Sequence, residues 1–128
     1  MYIRPAYGYD MVEVITTDEF AAWYRSLLDQ SQIEEVAFLV DLLEHKGVTL
    51  GHPYSSALKG TDFAFRELRG SAGKSELRIV YAFDPNRDAV LIVGGDKSGD
   101  KNFYERIIAL AEKVWREYLR EQGFDKQK

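Results

Sequence analysis

Apolar residues along the chain follow two periods, and the change between them divides it. Val12-Glu13-Val14-Ile15 reads as a short strand bounded by Thr16 and Thr17. Phe20, Trp23, Tyr24, Leu27 and Leu28 then recur at i, i+3, i+4, i+7 and i+8, the broad stripe of an amphipathic helix. Thr16 with Glu19 matches a capping box at its start, and Ser31 with Glu34 a second one further on. Ile33, Val36, Val40 and Leu43, flanked by Leu39 and Leu42, continue as another helix. His45 and Lys46 suit the negative end of its dipole, and Gly47 supplies the stop. The short break predicts an antiparallel helical hairpin laid on a sheet.

After a linker over 48–62, punctuated by Gly51, Pro53 and Gly60, the period shortens to two. Strands are predicted at about 63–69, 76–84 and 89–94, joined by the hairpin loops Gly70 to Lys74 and Asp84 to Asp88. Leu77, Ile79, Tyr81 and Phe83 alternate onto the face that should meet the helices. Arg78 falls on the opposite face with Val80 and Ala82, away from that core. Asn102 and Glu105 open a third helix, lined by Phe103, Ile107, Leu110, Ala111, Val114 and Tyr118 and ended by Gly123. Trp23, Trp115 and the other helix aromatics belong to these apolar stripes, which makes them core. Residues Met1 to Asp10 show no period and read as a loose arm, with Met11 a second possible start. The tail Phe124 to Lys128 is expected to fray. The order β-α-α-β-β-β-α predicts an α+β fold: a small antiparallel sheet with an N-terminal helical hairpin and a C-terminal helix.

A length of 128 residues suits one domain with its own core, spanning 1–128. The absence of cysteine excludes disulfides and thiolate metal sites and fits a reducing cytoplasm. No apolar run approaches the ~20 residues needed to cross a bilayer. A net charge of −4 argues against a simple nucleic-acid binder, but the charge is unevenly placed. Residues 1–58 hold nine acidic and three basic groups, whereas 59–101 hold eight basic and seven acidic. The cations of this second stretch sit inside or beside apolar, β-branched runs, where folding does not ask for them.

Arg66, Arg69, Arg78, Lys97 and Lys101 form this set, with Lys59 and Tyr104 nearby. Guanidinium groups on a sheet suit phosphate, because the planar fork keeps its charge and donates two hydrogen bonds at once. Cross-strand pairing with Glu67, Glu76 and Asp96 on a solvated face is the simpler reading of the same residues. Gly94-Gly95-Asp96-Lys97-Ser98-Gly99 lacks the spacing of a P-loop, and no HExxH occurs. His45 and His52 are too few for a metal centre, so no cofactor or metal is expected.

From Leu50 to Tyr104 the chain resembles the RelE/ParE superfamily of toxins from type II toxin–antitoxin pairs, nearest to its HigB-like branch. The resemblance rests on Leu50-Gly51-x-Pro53-Tyr54-Ser55, Leu58-Lys59-Gly60, Glu67-Leu68-Arg69, Arg78-Ile79-Val80-Tyr81 and Gly95-x-Lys97 before a terminal helix. It implies a RelE-like fold and a ribosome-dependent endoribonuclease, an mRNA interferase neutralised by a cognate helix-turn-helix, HigA-like antitoxin in a hetero-oligomer. It also implies catalytic roles for Arg69, Arg78, Lys97 and Tyr104. Lys59, Arg66 and Lys101 would touch the RNA backbone. The chain departs from the pattern where Arg66-Glu67 replaces a basic pair, in lacking a histidine at a position several HigB-like enzymes use, and in its acidic balance.

The implied chemistry is metal-independent: the ribose 2′-OH attacks the adjacent phosphorus while cations stabilise the growing phosphoryl charge. In this scheme Arg78 and Arg69 clamp the phosphate. Lys97 neutralises charge or protonates the leaving 5′-oxygen. Tyr104 stacks on a base, or acts as proton acceptor if its pKa is lowered. The rivals are a ParE-like toxin that binds DNA gyrase and a non-catalytic partner of a DNA-binding antitoxin.

Overall fold

Each helix of the hairpin begins where a side chain takes up amide groups that the first turn leaves free. In the computed structural model, which describes residues 11–126, Thr17 caps α1 (Asp18–Ser26) by accepting from the Phe20 amide at 3.0 Å. Asp29 caps α2 (Gln30–Lys46) by accepting from the Ser31 amide at 2.9 Å. Both caps differ from the capping boxes expected at Thr16 and Ser31. An acidic residue two positions before Ser31 is the better acceptor at the positive end of the dipole, and Thr16 is still a strand residue. Gly47 ends α2 at φ 53°, a left-handed conformation that favours glycine.

Among the described residues there are five strands, β1 (Val14–Thr16), β2 (Ser55–Ala57), β3 (Arg66–Ala72), β4 (Ser75–Phe83) and β5 (Ala89–Asp96). They form one sheet in the order β1-β5-β4-β3-β2. The expected meander β3-β4-β5 is antiparallel, as is β2 on β3. However, β1 joins β5 in parallel, so the sheet is mixed and not purely antiparallel. The segment expected as a linker holds β2 and a 3₁₀ turn over Gly47–Thr49. Strand β3 runs on into the expected loop, leaving Gly73-Lys74 as a two-residue hairpin turn with Gly73 at φ 59°. Beyond the third helix, α3 (Phe103–Glu121), residues Phe124–Lys126 make a 3₁₀ turn, with Phe124 6.3 Å from the Tyr118 ring. The proposed arm at residues 1–10 lies outside the described residues, as do 127 and 128.

The sheet is covered on both faces. Phe20, Leu39, Leu43, Leu68, Leu77, Ile79 and Tyr81 build one core under α1 and α2, with Trp23 against it. Val80, Ala82, Val90, Ile92, Phe103, Ile107 and Trp115 build a second core under α3. A fully buried large apolar side chain is worth about 1.5–3 kcal/mol, so the second core is a major part of the fold. Arg78 does lie on the face opposite the first core, as expected, but that face carries a core of its own.

A bulge in β5 adapts the strand to its two covers. Val80 pairs with Val93 but Tyr81 with Leu91, leaving Ile92 as the extra residue. Ile92 and Val93 therefore both face α3. Thr17 Oγ1 donates to the Ile92 carbonyl at 2.6 Å, so one buried hydroxyl both caps α1 and satisfies the bulge.

Candidate functional site

Strand pairing sets the site's frame. Residues directly opposite on neighbouring strands share a face, and Arg69, Arg78 and Gly95 are such a row across β3, β4 and β5. The row on one side is Glu67, Val80 and Val93; the row on the other is Ser71 and Glu76. Lys97 follows across from Glu76, its amide donating to the Glu76 carbonyl at 2.8 Å. The first turn of α3 packs on Gly95, where an added Cβ would come within 2.9 Å of the Phe103 ring. Glycine there lets α3 approach the sheet and brings Tyr104 over Arg78. Ser71 and Glu76 remain exposed at the end of the sheet.

Arg78 is 4% exposed. Its Nη1 donates to its neighbour's carbonyl, Leu77, at 2.9 Å, and its Nε donates to the Tyr104 hydroxyl at 3.3 Å. Tyr104 in turn donates to Glu67 Oε1 at 2.7 Å, and Ser56 donates to Glu67 Oε2 at 3.1 Å. Glu67 Oε1 lies 3.7 Å from Arg78 Nε, and Glu76 Oε1 lies 3.8 Å from Nη2. The two glutamates and two arginines alternate along β3 and β4, which offsets the repulsion of Arg69 directly opposite Arg78. Of the cross-strand partners in the simpler reading Glu67 does meet Arg78, but both are buried instead of solvated, and Glu76 stands beside Arg78 on the same strand. Asp96 instead holds the turn that carries Lys97, its Oδ1 accepting from the Glu76 and Ser98 amides at 3.1 and 3.0 Å.

Desolvation, and then the hydrogen bond to Glu67, push the Tyr104 pKa above the ordinary phenol value. Tyr104 therefore keeps its proton and donates it. That arrangement suits the stacking role better than that of proton acceptor, which requires a lowered pKa.

The structure brings Arg78 and Tyr104 into contact and sets half-buried Arg69 in the same row as Arg78. Lys97 is half-buried at the end of β5. Arg66 faces the other way: its Nε donates to Ser55 Oγ at 3.0 Å, and Ser55 meets Tyr81 at 2.6 Å under the α1–α2 layer. Lys59 and Lys101 are exposed on the connections before β3 and α3. Sequence reasoning gave no functional role to Ser56 and treated Glu76 only as a charge partner. The signal for Glu76 was present, since it lies two residues before Arg78 and so on the same face. Among the described residues no group of three or more His, Asp or Glu side chains converges to hold a metal, and no helix is long and apolar enough to cross a membrane.

The chain belongs to the family described as phage derived protein Gp49-like (DUF891), matching it over residues 22–116, which include the whole Arg78 cluster. It is similar to two proteins of Mycobacterium tuberculosis that bear toxin names. It is 39% identical to the candidate toxin HigB3 over 101 residues, covering 77% of this chain and 86% of that protein. It is 35% identical to the candidate toxin HigB2 over 105 residues, 80% of this chain, and so spans about half (52%) of that longer relative. No solved structure matches the chain.

Proposed function

We propose that this protein is the toxin of a type II toxin–antitoxin pair, of the RelE/ParE superfamily and its HigB-like branch. In this reading it is an endoribonuclease that cuts mRNA on the ribosome in the cytoplasm and is neutralised by a cognate helix-turn-helix antitoxin. The observation that supports it most is the buried Arg78 guanidinium, fixed by Leu77, Tyr104 and Glu67 with its Nη2 edge toward the uncovered end of the sheet. Side-chain order established before substrate arrives is what transition-state stabilisation needs, because no reorganisation is left for the reaction step. Arg78 and Arg69 take the phosphoryl charge, and Lys97 protonates the departing 5′-oxygen. Tyr104 holds the Arg78 fork and offers its ring to a base. Lys59 and Lys101, on exposed connections, meet the RNA backbone, whereas Arg66 is held on the other face.

The pairing of Arg78 with two carboxylates favours one second reading, a ParE-like toxin that binds gyrase and cleaves nothing. Induction in a bacterial host, followed by mapping of transcript ends, separates the two. New cuts within translated codons support the ribonuclease. Intact messages with an induced DNA-damage response overturn it in favour of gyrase binding.

A further inference from the structure

The scheme above needs a group to take the proton of the attacking 2′-OH, and the Tyr104 hydroxyl is already engaged as a donor to Glu67 at 2.7 Å. Arg78, Arg69 and Lys97 are assigned to the phosphate and the leaving oxygen. Two carboxylates stand beside Arg78, and they differ in reach. Glu67 has an 8% exposed side chain, and its two oxygens already accept from Tyr104 and Ser56. Its place is to hold Tyr104 and Arg78. Glu76 has a 48% exposed side chain, and its Oε1 lies 3.8 Å from Arg78 Nη2, too far for a direct hydrogen bond. Its backbone is pinned from both sides, the amide to Asp96 at 3.1 Å and the carbonyl to the Lys97 amide at 2.8 Å. A fixed strand position therefore sets an accessible carboxylate beside Arg78, with Lys97 bonded through its backbone to the same residue.

The geometry points to Glu76 as the catalytic residue that accepts the 2′-OH proton. This role rests on the RNA-cleaving reading. A phosphoryl oxygen takes the Nη2 edge of Arg78, which sets the neighbouring 2′-OH at the Glu76 carboxylate. The 2′-oxygen gives its proton to Glu76 and forms a bond to phosphorus. The bond from phosphorus to the 5′-oxygen breaks, and that oxygen leaves with a proton from the Lys97 ammonium. The products are a 2′,3′-cyclic phosphate and a 5′-OH end, after which Glu76 and Lys97 exchange protons with water.

The test is single-turnover cleavage of a ribosome-bound message by wild type and Glu76→Gln, across pH, with binding to the programmed ribosome measured alongside. Glu76→Gln is expected to lose about 10²- to 10⁴-fold in rate at unchanged affinity. It should also lose the rise of rate with pH that wild type shows at the acid end of its profile. Equal cleavage by the variant overturns the assignment. So does faster cleavage, which would make Glu76 a competitor for Arg78, and so does a slower variant that keeps the acid limb, which would make it a positioning residue. A wild-type acid limb that is absent overturns it without any variant. Wild-type protein that leaves the message intact removes the ribonuclease reading itself, and the assignment with it.

Discussion

Glu67 and Arg78, from neighbouring strands, lie 3.7 Å apart with side chains 8% and 5% exposed. Two buried charges at this distance depend on each other: removing one leaves the other desolvated and unpaired, a cost of about 3–5 kcal/mol. Arg78→Ala is therefore expected to unfold at markedly lower denaturant concentration than wild type. Loss of activity in that variant cannot separate chemistry from folding. Arg78→Lys keeps the charge while losing the planar fork, and it should stay folded with cleavage reduced at least about tenfold. Denaturant titration beside a cleavage assay checks both outcomes.

Thr17 serves two partners with one hydroxyl, capping α1 and donating to the bulge carbonyl of Ile92. Thr17→Val keeps the volume and strands both partners. The expected loss is about 1–3 kcal/mol, read from equilibrium unfolding, with no change in any binding constant measured on the folded protein.

Gly95 is where α3 meets the sheet. Gly95→Ala places a methyl within 2.9 Å of the Phe103 ring, which is itself buried in the second core. Overpacking of this kind costs about 1–3 kcal/mol. It should also move Tyr104 from Arg78, so cleavage falls more than stability accounts for. A variant with wild-type cleavage would show that the placement of α3 is not part of the site.

Alkaline pH probes the two tyrosines that donate to carboxylates. Burial first, then the Glu67 hydrogen bond, raises the Tyr104 pKa; burial first, then Asp84, which accepts from Tyr118 at 2.8 Å, raises that of Tyr118. A phenol with a raised folded pKa binds its proton more tightly in the native state. Its contribution is complete below the unfolded value near ~10 and is lost as pH rises from there through the folded value. Thermal melts across that range should fall less steeply for Tyr118→Phe and Tyr104→Phe than for wild type. Parallel curves would contradict this.

Long periodic elements were legible in the sequence. The helices α2 and α3 and the strands β4 and β5 carry enough apolar repeats to be found within a few residues. Strand β2 was hidden because Ser55-Ser56-Ala57 has no β-branched or large residue, and it forms only by pairing with β3. Parallel pairing of β1 depends on where a three-residue strand lands, which local pattern does not encode. The site was half legible. Placing Arg78 opposite Leu77 and Ile79 was correct, but its burial depends on how closely α3 descends, through Gly95. Parity also excluded Arg66: it shares the face of Leu68, two residues on, whereas Arg69 does not. Grouping the cations by sequence proximity overlooked that alternation.

If a preset Arg78 makes this chain an RNA-cleaving enzyme, cutting must fail when the guanidinium fork is lost from a folded protein. The decisive experiment incubates purified wild-type and Arg78→Lys protein with ribosomes holding a defined message and maps the new RNA ends. Cuts bearing 5′-OH ends are expected in the ribosome-bound codons for wild type, and at most about a tenth as many for the folded variant. Equal cutting by the two proteins, or an intact message with active ribosomes and folded wild type, would contradict it.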